Sequence, residues 1–230
     1  MVIAKYLAAC GLGSRRACEP LIKDGRVSVN GETITDLAIR IDPVVDEVAF
    51  DGKTVKQREL VYYLLNKPVG YTCSRSDTHA DKLVTELVPG NPPVWPVGRL
   101  DRETTGLIIL TNDGDLTQAL THPSRLKRKE YILQTDRPLS AEQVLQAQTR
   151  VILEDGPLSP DELEVLETGR YRIAIHEGRK RIIRRLAAFF GRRVVSLERT
   201  AVDTLRLSDL KPGRYRELTG TEVATLKGER

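Results

Sequence analysis

The sequence predicts an α+β fold: a small N-terminal domain, then a mixed, largely antiparallel sheet flanked by helices. Segments with alternating apolar and polar residues, typical of half-buried strands, recur among segments of helical period. The two kinds do not alternate regularly along the chain, as they would in a doubly wound parallel fold. Loops that contain glycine and proline join them, which favours antiparallel neighbours.

Residues 1–55 are expected to form the N-terminal domain, with two helices followed by a short sheet. The first helix should end at Gly11, and Ser14 is placed to cap the second. Asn30-Gly31 is a strong signal for a hairpin turn. The predicted elements are helices at 2–10 and 15–23 and strands at 26–29 and 46–50. Basic residues of this domain offer a ledge for a nucleic-acid backbone: Arg15, Arg16, Lys23 and Arg26.

A polar stretch, Lys53–Glu59, separates the two domains, and we place the linker at 56–60 and the second domain at 61–230. The last long helix of the second domain is expected to end at Gly191. Its predicted strands are 60–65, 106–111, 130–134, 171–175 and 194–197, and its predicted helices are 116–120, 141–148 and 180–190.

The composition excludes several classes of protein. With 40% hydrophobic and 30% charged residues the chain is typical of a folded globular protein, and its apolar runs are too short to span a membrane. Three cysteines without a Cys-x-x-Cys spacing disfavour a disulfide scaffold or a zinc site, and free thiols suit the cytoplasm. No glycine-rich loop of the P-loop or dinucleotide-binding type occurs, and we expect neither a metal nor a cofactor. No apolar stripe is left over for a second subunit, which favours a monomer.

The positive charge is concentrated rather than large. The net charge is only +4, yet residues 170–199 contain ten Lys or Arg against two acids. A smaller basic cluster lies at 125–129, whereas acids gather at 154–167. Segregated positive charge, with a sequence pI of about 9.0, is typical of a protein that binds a phosphate backbone. A solvated helix face is the alternative for either run alone.

The first segment suited to chemistry is the loop Gly98-Arg99-Leu100-Asp101-Arg102, which leads into an apolar strand. An acid between two arginines, in a loop that contains glycine, is placed to be held ionised close to a ligand. The alternative is a surface turn in which Asp101 caps a helix or pairs with Arg102.

Two further segments combine basic residues with features that suit a nucleotide. Tyr131, beside Lys129 at the start of a strand, fits either a stacking platform for a base or an ordinary core position. In His176–Leu186, Gly178 follows a strand and is expected to open a basic helix whose first amides suit a phosphate. The alternative is a packed helix with a basic outer face.

With these motifs the chain resembles the RsuA family of pseudouridine synthases, which modify ribosomal RNA. The resemblance rests on Gly98–Asp101 with Thr104–Leu107, on Leu65–Gly70, and on Glu177–Arg179 with Arg184-Arg185. The first domain resembles an S4-type RNA-binding domain through Ser14–Arg16, Leu21-Ile22 and 25–31. Together these motifs cover nearly the whole chain in the family's order. One departure is Ile182, where members usually carry glutamine.

The resemblance implies a role for each residue of the site. Asp101 corresponds to the catalytic aspartate, Tyr131 to the tyrosine that stacks on the base, and Arg184 to the basic partner of the aspartate. Ile183 corresponds to the apolar neighbour that packs beneath them. Arg99 corresponds to the arginine that helps to displace the target nucleotide. Further contacts with RNA are expected from Arg102, Lys129, Arg179 and Arg181.

The resemblance therefore implies that a uridine of ribosomal RNA, free or in a pre-ribosomal particle, is isomerised to pseudouridine. The N1–C1′ bond breaks, the uracil turns and C5 joins the sugar, without a redox step. The target nucleotide must first leave its helix for a pocket. Asp101 would either attack C1′ or remove the C2′ proton, and both routes need it ionised beside Arg184. The match around His176–Gly178 favours 23S over 16S rRNA.

Two other classes of function are considered. A non-catalytic RNA-binding or ribosome-assembly protein would need only the first domain and the basic runs. It does not explain an acid among the arginines of a phosphate-binding surface, where the acid would repel the ligand. An aspartate-dependent hydrolase of small molecules predicts neither the first domain nor the segregated charge.

Overall fold

The computed structural model describes residues 1–74, 77 and 80–228. The chain divides into two compact units, of which the first comprises Met1–Val61 and Asn91–Pro93 and the second comprises Tyr62–Gly90 and Val94–Arg230. Each unit contains its own cluster of buried apolar residues. No helix within the described ranges is both long and apolar enough to cross a membrane.

Helices and strands alternate irregularly along the chain. The helices are α1 (Ile3–Ala9), α2 (Arg15–Lys23), α3 (Gly114–Thr121), α4 (Ala141–Thr149), α5 (Ile182–Phe189) and α6 (Gly220–Lys227). The strands are β1 (Val27–Val29), β2 (Glu32–Ile34), β3 (Val48–Phe50), β4 (Lys53–Thr54), β5 (Tyr62–Lys67), β6 (Trp95–Val97), β7 (Thr105–Thr111), β8 (Lys129–Thr135), β9 (Val151–Leu153), β10 (Gly156–Leu158), β11 (Glu162–Glu167), β12 (Arg170–Ile175), β13 (Val194–Val202), β14 (Leu205–Arg206) and β15 (Tyr215–Glu217). Short 3-10 helices lie at Val84–Leu87 and Pro123–Arg125.

The first unit packs two helices and a small antiparallel sheet of order β2-β1-β3-β4 around one core. Ser14 caps α2 by accepting a hydrogen bond from the N–H of Ala17 at 3.1 Å, and α2 has the predicted bounds. Asn30 and Gly31 adopt positive φ angles of +51° and +84°, as a tight hairpin turn between β1 and β2 requires. The core takes residues from both layers: Ile3, Leu7, Ile22, Val27 and Val48.

The second unit is built on a nine-stranded sheet. Seven strands follow the order β11-β12-β8-β13-β7-β5-β15, while β6 pairs with β7 and β14 with β13. Across the part of the chain that the structure describes, every pairing in this sheet is antiparallel except that of β7 with β13. The predicted α+β class with a mixed, largely antiparallel sheet is therefore confirmed. The main core joins the sheet to α3 and α6 through Leu64, Leu107, Ile109, Leu116, Leu120 and Leu226.

Several elements differ from the predictions. Lys53 and Thr54, predicted as part of a polar linker, form β4 and pair with β3. The strand predicted at 60–65 is Tyr62–Lys67. Strands as short as β4, β9, β10 and β14 are too brief to show a period of two, so the sequence carries no signal for them.

The basic helix is shorter than predicted. Helix α5 begins at Ile182 rather than Lys180, because Arg181 adopts a left-handed conformation with φ +54° at the N-cap. Gly178 therefore lies before the helix, and the prediction that it opens the helix is wrong. The inward stripe is as expected, since Ile182, Ile183 and Leu186 are buried.

Strands β7 and β13 approach each other closely at Gly106. This residue has φ +101°, and a Cβ atom there would lie 2.3 Å from the carbonyl oxygen of Arg199. Both the backbone conformation and the lack of space require glycine. Gly106 thus permits the parallel pairing in which it lies opposite Arg199.

Candidate active site

The second unit contains a cleft of about 780 Å³. Its walls come from the loop between β6 and β7, from β8 and β13, and from the segment that leads into α5. Three of the four residues predicted for the reacting centre, Asp101, Tyr131 and Ile183, line this cleft. Arg184 contacts Asp101 from α5. The fold thus brings together residues from three segments that are far apart in the sequence.

Asp101 lies in the loop between β6 and β7, and turns and buried contacts hold its backbone. Gly98, with φ +73°, turns the chain out of β6. The N–H of Thr104 donates to the carbonyl of Asp101 at 3.0 Å and closes a turn just before β7. Leu100 is buried, and its N–H donates to the Sγ atom of Cys73 at 3.4 Å. The carboxylate is therefore carried on a well-anchored loop.

A buried lysine at the end of β5 anchors the same loop. Lys67 has no exposed surface, and its Nζ donates to the carbonyl oxygens of Pro68 at 3.1 Å, Arg102 at 3.2 Å and Thr104 at 2.8 Å. Burial lowers the pKa of the Lys67 amine, and nearby acidic groups, Asp101 among them, oppose that shift. Carbonyl groups satisfy the N–H bonds of the ammonium without cancelling its charge.

Arg184 is the charged partner of Asp101. Its Nε lies 3.7 Å from the Oδ2 atom of Asp101, and its Nη2 donates to the hydroxyl of Thr104 at 3.2 Å. The arginine side chain is 14% exposed and the aspartate side chain 32%. At 3.7 Å the contact is an ion pair rather than a hydrogen bond. The carboxylate is thus stabilised by a positive charge and remains open to the cleft.

Tyr131 and Arg199 lie side by side on neighbouring strands. They are register partners of β8 and β13, so their side chains project from the same face of the sheet. Both residues are buried and both line the cleft. The hydroxyl of Tyr131 makes no hydrogen bond with any described residue. Ile183 adds an apolar surface, and a ring with an apolar surface can hold a planar base.

Three predicted RNA-binding arginines at the cleft differ in their partners. Arg99 is exposed and makes no ion pair with a described residue. Arg102 donates to the carbonyl of Gly70 at 3.2 Å, so the surface-turn alternative, in which it pairs with Asp101, is not realised. Arg181 is exposed and lies 3.4 Å from Glu103. Of these three, Arg99 is the least engaged within the protein.

The other two predicted cations of the cleft are bound within the fold. Arg179 pairs with Asp155 and Glu177 and donates to three carbonyls of the β9–β10 hairpin, so its guanidinium is held within the fold. Lys129 donates to the carbonyls of Lys127 at 2.8 Å and His176 at 3.4 Å. Burial, and then the charge of Arg199, lower the pKa of the Lys129 amine.

The predicted basic ledge of the first unit is mostly unpaired. Arg15, Arg16 and Lys23 are exposed on α2 and make no ion pair with described residues. Arg26 differs, because its Nε donates to Asp51 at 2.9 Å and its guanidinium lies 4.6 Å from the ring centre of Phe50. Helix α2 therefore presents three exposed cations, whereas Arg26 ties the start of β1 to the β3–β4 turn.

The segregation of charge along the sequence does not persist in the fold. Strand β11, from the acidic stretch, pairs with β12, from the basic stretch. As a result Arg172 contacts both Glu162 and Glu164, and Arg170 contacts Glu167. The same stretch supplies Asp155 to Arg179 and Arg185, and Asp161 to His176. The basic run at 170–199 is therefore partly neutralised by acids of the stretch 154–167.

Two residues of the site were not predicted from the sequence as functional. In the sequence analysis, Lys67 is only part of the motif Leu65–Gly70, and Arg199 is only one member of the basic run 170–199. A signal exists for Arg199, because Leu197, Arg199 and Ala201 occupy alternate positions of β13 and all three are buried. A charged residue on the inward face of a strand requires an explanation.

Comparison with known proteins gives two family matches. The model of the RNA pseudouridylate synthase family matches residues 61–189, and that of the S4 domain matches residues 3–48. The first match covers more than half of the chain.

Similar proteins match along almost their full length. A protein of Aquifex aeolicus, named as an uncharacterized RNA pseudouridine synthase, is 38% identical over 97% of this chain and 92% of its own. The ribosomal large subunit pseudouridine synthase B of Bacillus subtilis is 35% identical, over 98% of this chain and 95% of its own. A crystal structure of a pseudouridylate synthase has a TM-score of 0.71 at 28% identity, and the match covers 98% of this chain and 99% of that chain.

Proposed function

This chain belongs to the RNA pseudouridylate synthase family, and from that premise we propose that it converts a specific uridine of ribosomal RNA to pseudouridine. The observation that carries the proposal is the ion pair of Asp101 and Arg184 in a cleft lined by Tyr131. We favour 23S over 16S rRNA, and the name of the Bacillus subtilis relative supports this choice. As a family member the chain is an RNA-modifying isomerase, so the non-catalytic alternative is set aside.

In this proposal Asp101 begins the reaction, by one of two routes. In the first, its carboxylate attacks C1′, and the N1–C1′ bond breaks with its electron pair on the uracil. In the second, the carboxylate takes the C2′ proton, and the C–H electrons form a C1′=C2′ double bond as the uracil leaves. The guanidinium of Arg184, 3.7 Å away, places a positive charge beside the carboxylate that both routes need.

In this proposal Tyr131 stacks on the uracil after it turns and then accepts a proton from it. Its ring supports the base while C5 moves to C1′, either displacing the carboxylate or adding to the double bond as C2′ regains its proton. C5 then carries one proton too many, and N1 lacks one. The phenol oxygen, which has no hydrogen-bond partner among the described residues, can take the C5 proton while its own proton passes through solvent to N1.

The cations outside the reacting centre would hold the RNA in place. Extrusion of the target nucleotide costs a few kcal/mol for unstacking. Arg99 is exposed beside Asp101 and can contact the phosphates of the extruded strand. The three cations of α2, Arg15, Arg16 and Lys23, can contact the backbone elsewhere.

Release of tritium from rRNA that contains 5-tritiated uridine tests the proposal directly, since pseudouridine formation loses the C5 hydrogen. Asp101→Asn should abolish release while RNA binding persists. Arg170→Met, which removes an exposed ion pair at the sheet edge, should leave release unchanged. Substantial activity in the Asp101 variant, or no release by the wild-type protein from any rRNA, would contradict the proposal.

Two further measurements refine it. Tyr131→Phe should keep the stacking but slow the final proton loss, and unchanged kinetics would exclude that role for the hydroxyl.

Pseudouridine mapping of 16S and 23S rRNA, from cells with and without the protein, identifies the target. Comparing naked RNA with pre-ribosomal particles then identifies the substrate's assembly stage.

A further inference from the structure

Arg199 is a buried cation without a counter-anion. It is 4% exposed, and its Nε donates to the carbonyl of Leu107 at 2.8 Å. Its two terminal nitrogens have no hydrogen-bond or carboxylate partner among the described residues, although the residue lines the cleft. Burying an unpaired guanidinium is unfavourable. A ligand that brought electron-rich oxygen atoms into the cleft would offset that cost.

The other cations of the cleft are exposed, pair with an acid, or donate to backbone carbonyls. Lys127 pairs with Asp203, Arg181 with Glu103, and Arg184 with Asp101. Lys129 donates to two backbone carbonyls. Among the described residues that line the cleft, Arg199 is therefore the buried cation that has donors left for a ligand.

The position of Arg199 identifies the part of the ligand that it would meet. It lies opposite Tyr131 in the register of β8 and β13, and opposite Gly106 in that of β7 and β13. Tyr131 is the proposed stacking residue for the base. Gly106 lies two residues after Thr104, whose N–H closes the turn at Asp101. A uracil that stacks on Tyr131 with its sugar at Asp101 would thus present an edge to Arg199.

We propose that the guanidinium of Arg199 binds a carbonyl oxygen of the target uracil and stabilises the negative charge of the detached ring. This inference rests on the proposed function. In both routes open to Asp101 the electron pair of the N1–C1′ bond leaves with the uracil and spreads onto O2 and O4. A donor held in place by Leu107 meets that charge without reorganisation, which is how a preorganised oxyanion site accelerates a reaction.

Single-turnover kinetics with Arg199→Met provides the first test, with Arg170→Met as the control for loss of one arginine. We expect the rate constant to fall by about 10²- to 10³-fold and the Kd for RNA to change less than about threefold. A rate within about threefold of wild type in a folded variant would overturn the inference. Circular dichroism and a thermal melt establish that the variant is folded.

A second test separates contact with the base from a purely structural role. RNAs with 2-thiouridine or 4-thiouridine at the target position weaken a hydrogen bond at one carbonyl. One of them should slow the wild-type enzyme by about tenfold and have no further effect on Arg199→Met. If the slowing persists in the variant, or if neither thio substitution slows the wild type, Arg199 does not contact the uracil.

The two proposals fail in different ways. If wild-type protein forms no pseudouridine in rRNA, the proposed function fails. If wild-type protein is active and loses activity with Asp101→Asn, but the Arg199 variant behaves like the Arg170 control, only this inference fails.

Discussion

Cations in the cleft and cations at the edge of the same sheet are satisfied in different ways. At the edge, where β11 pairs with β12, carboxylates face the arginines, as Arg172 with Glu162 and Glu164 shows. Around the cleft, by contrast, three cations donate to backbone carbonyls: Lys67 and Arg199, which are buried, and Lys129, which is half-buried.

This difference determines which positive charges remain available to a ligand and which are neutralised within the fold. A carboxylate cancels the charge of its partner, whereas a carbonyl satisfies an N–H group and leaves the charge in place. The edge is therefore close to neutral and stabilises the sheet. The cleft keeps a positive potential that can attract RNA and stabilise an anion on the base.

The largest expected effect follows from changing Gly106, where the two central strands of the cleft touch. In Gly106→Ala the new Cβ would lie 2.3 Å from the carbonyl oxygen of Arg199, at a residue with φ +101°. We expect a loss of at least about 3 kcal/mol in unfolding free energy, measured by urea denaturation, together with loss of activity. Gly191→Ala is the control, since φ is also positive there but the space is open, and it should cost about 1 kcal/mol. Equal losses would show that the close approach is unimportant.

A smaller effect is expected at Lys67, which tests whether a buried cation beside the cleft acts through the Asp101 loop. Lys67→Met removes three donors and leaves the carbonyls of Pro68, Arg102 and Thr104 without their partner. We expect a stability loss of about 1 to 3 kcal/mol and a kcat reduced about 10- to 100-fold, since small displacements of a reacting group are costly. Lys211→Met, at an exposed residue, should change neither quantity. A full kcat in Lys67→Met would mean that the loop holds its position without the lysine.

The pH dependence of Glu222 tests the contribution of a cation that is paired with a carboxylate, here Arg216. Glu222 caps α6 with Thr219, and its pKa is lowered to about 2, first by the hydrogen bond from Arg216 and then by Thr219. Because the folded pKa lies below the usual 4.5, this carboxylate stabilises the fold above about pH 4.5, and the stabilisation is lost as the pH falls towards 2. Glu222→Gln should lower the unfolding free energy by about 1 to 2 kcal/mol at pH 7 and by little near pH 2. A difference that does not depend on pH would contradict this assignment.

The smallest effect is expected for an exposed pair at the edge. Arg172→Met should cost about 0 to 1 kcal/mol in unfolding free energy and leave the Kd for RNA within about twofold. Arg99→Met, at the cleft, should instead weaken binding and reduce the slope of log Kd against log salt by about one. If Arg172→Met changes the salt slope as much as Arg99→Met does, the edge binds RNA and the comparison fails.

Local signals predicted much of the fold. Helix α2 has the expected bounds because Ser14 and the helix that it caps interact within a few residues. The hairpin at Asn30-Gly31 follows for the same reason, since the two residues can adopt positive φ angles. Helix α5 shows the limit of such signals. The helical period of apolar residues extends back to Lys180, but the helix begins only at Ile182 because Arg181 adopts a left-handed conformation.

By itself, the sequence determined the fold class, the helix caps, and the motif residues that meet in the cleft. Only the tertiary structure decided which cations keep their charge. The acids of 154–167 neutralise arginines of 170–199 because β11 and β12 become neighbours. Arg199 keeps its charge because β13 lies between β7 and β8, where its side chain donates to the carbonyl of Leu107 and pairs with no carboxylate among the described residues. Charge depends on composition, but pairing depends on which strands the fold places side by side.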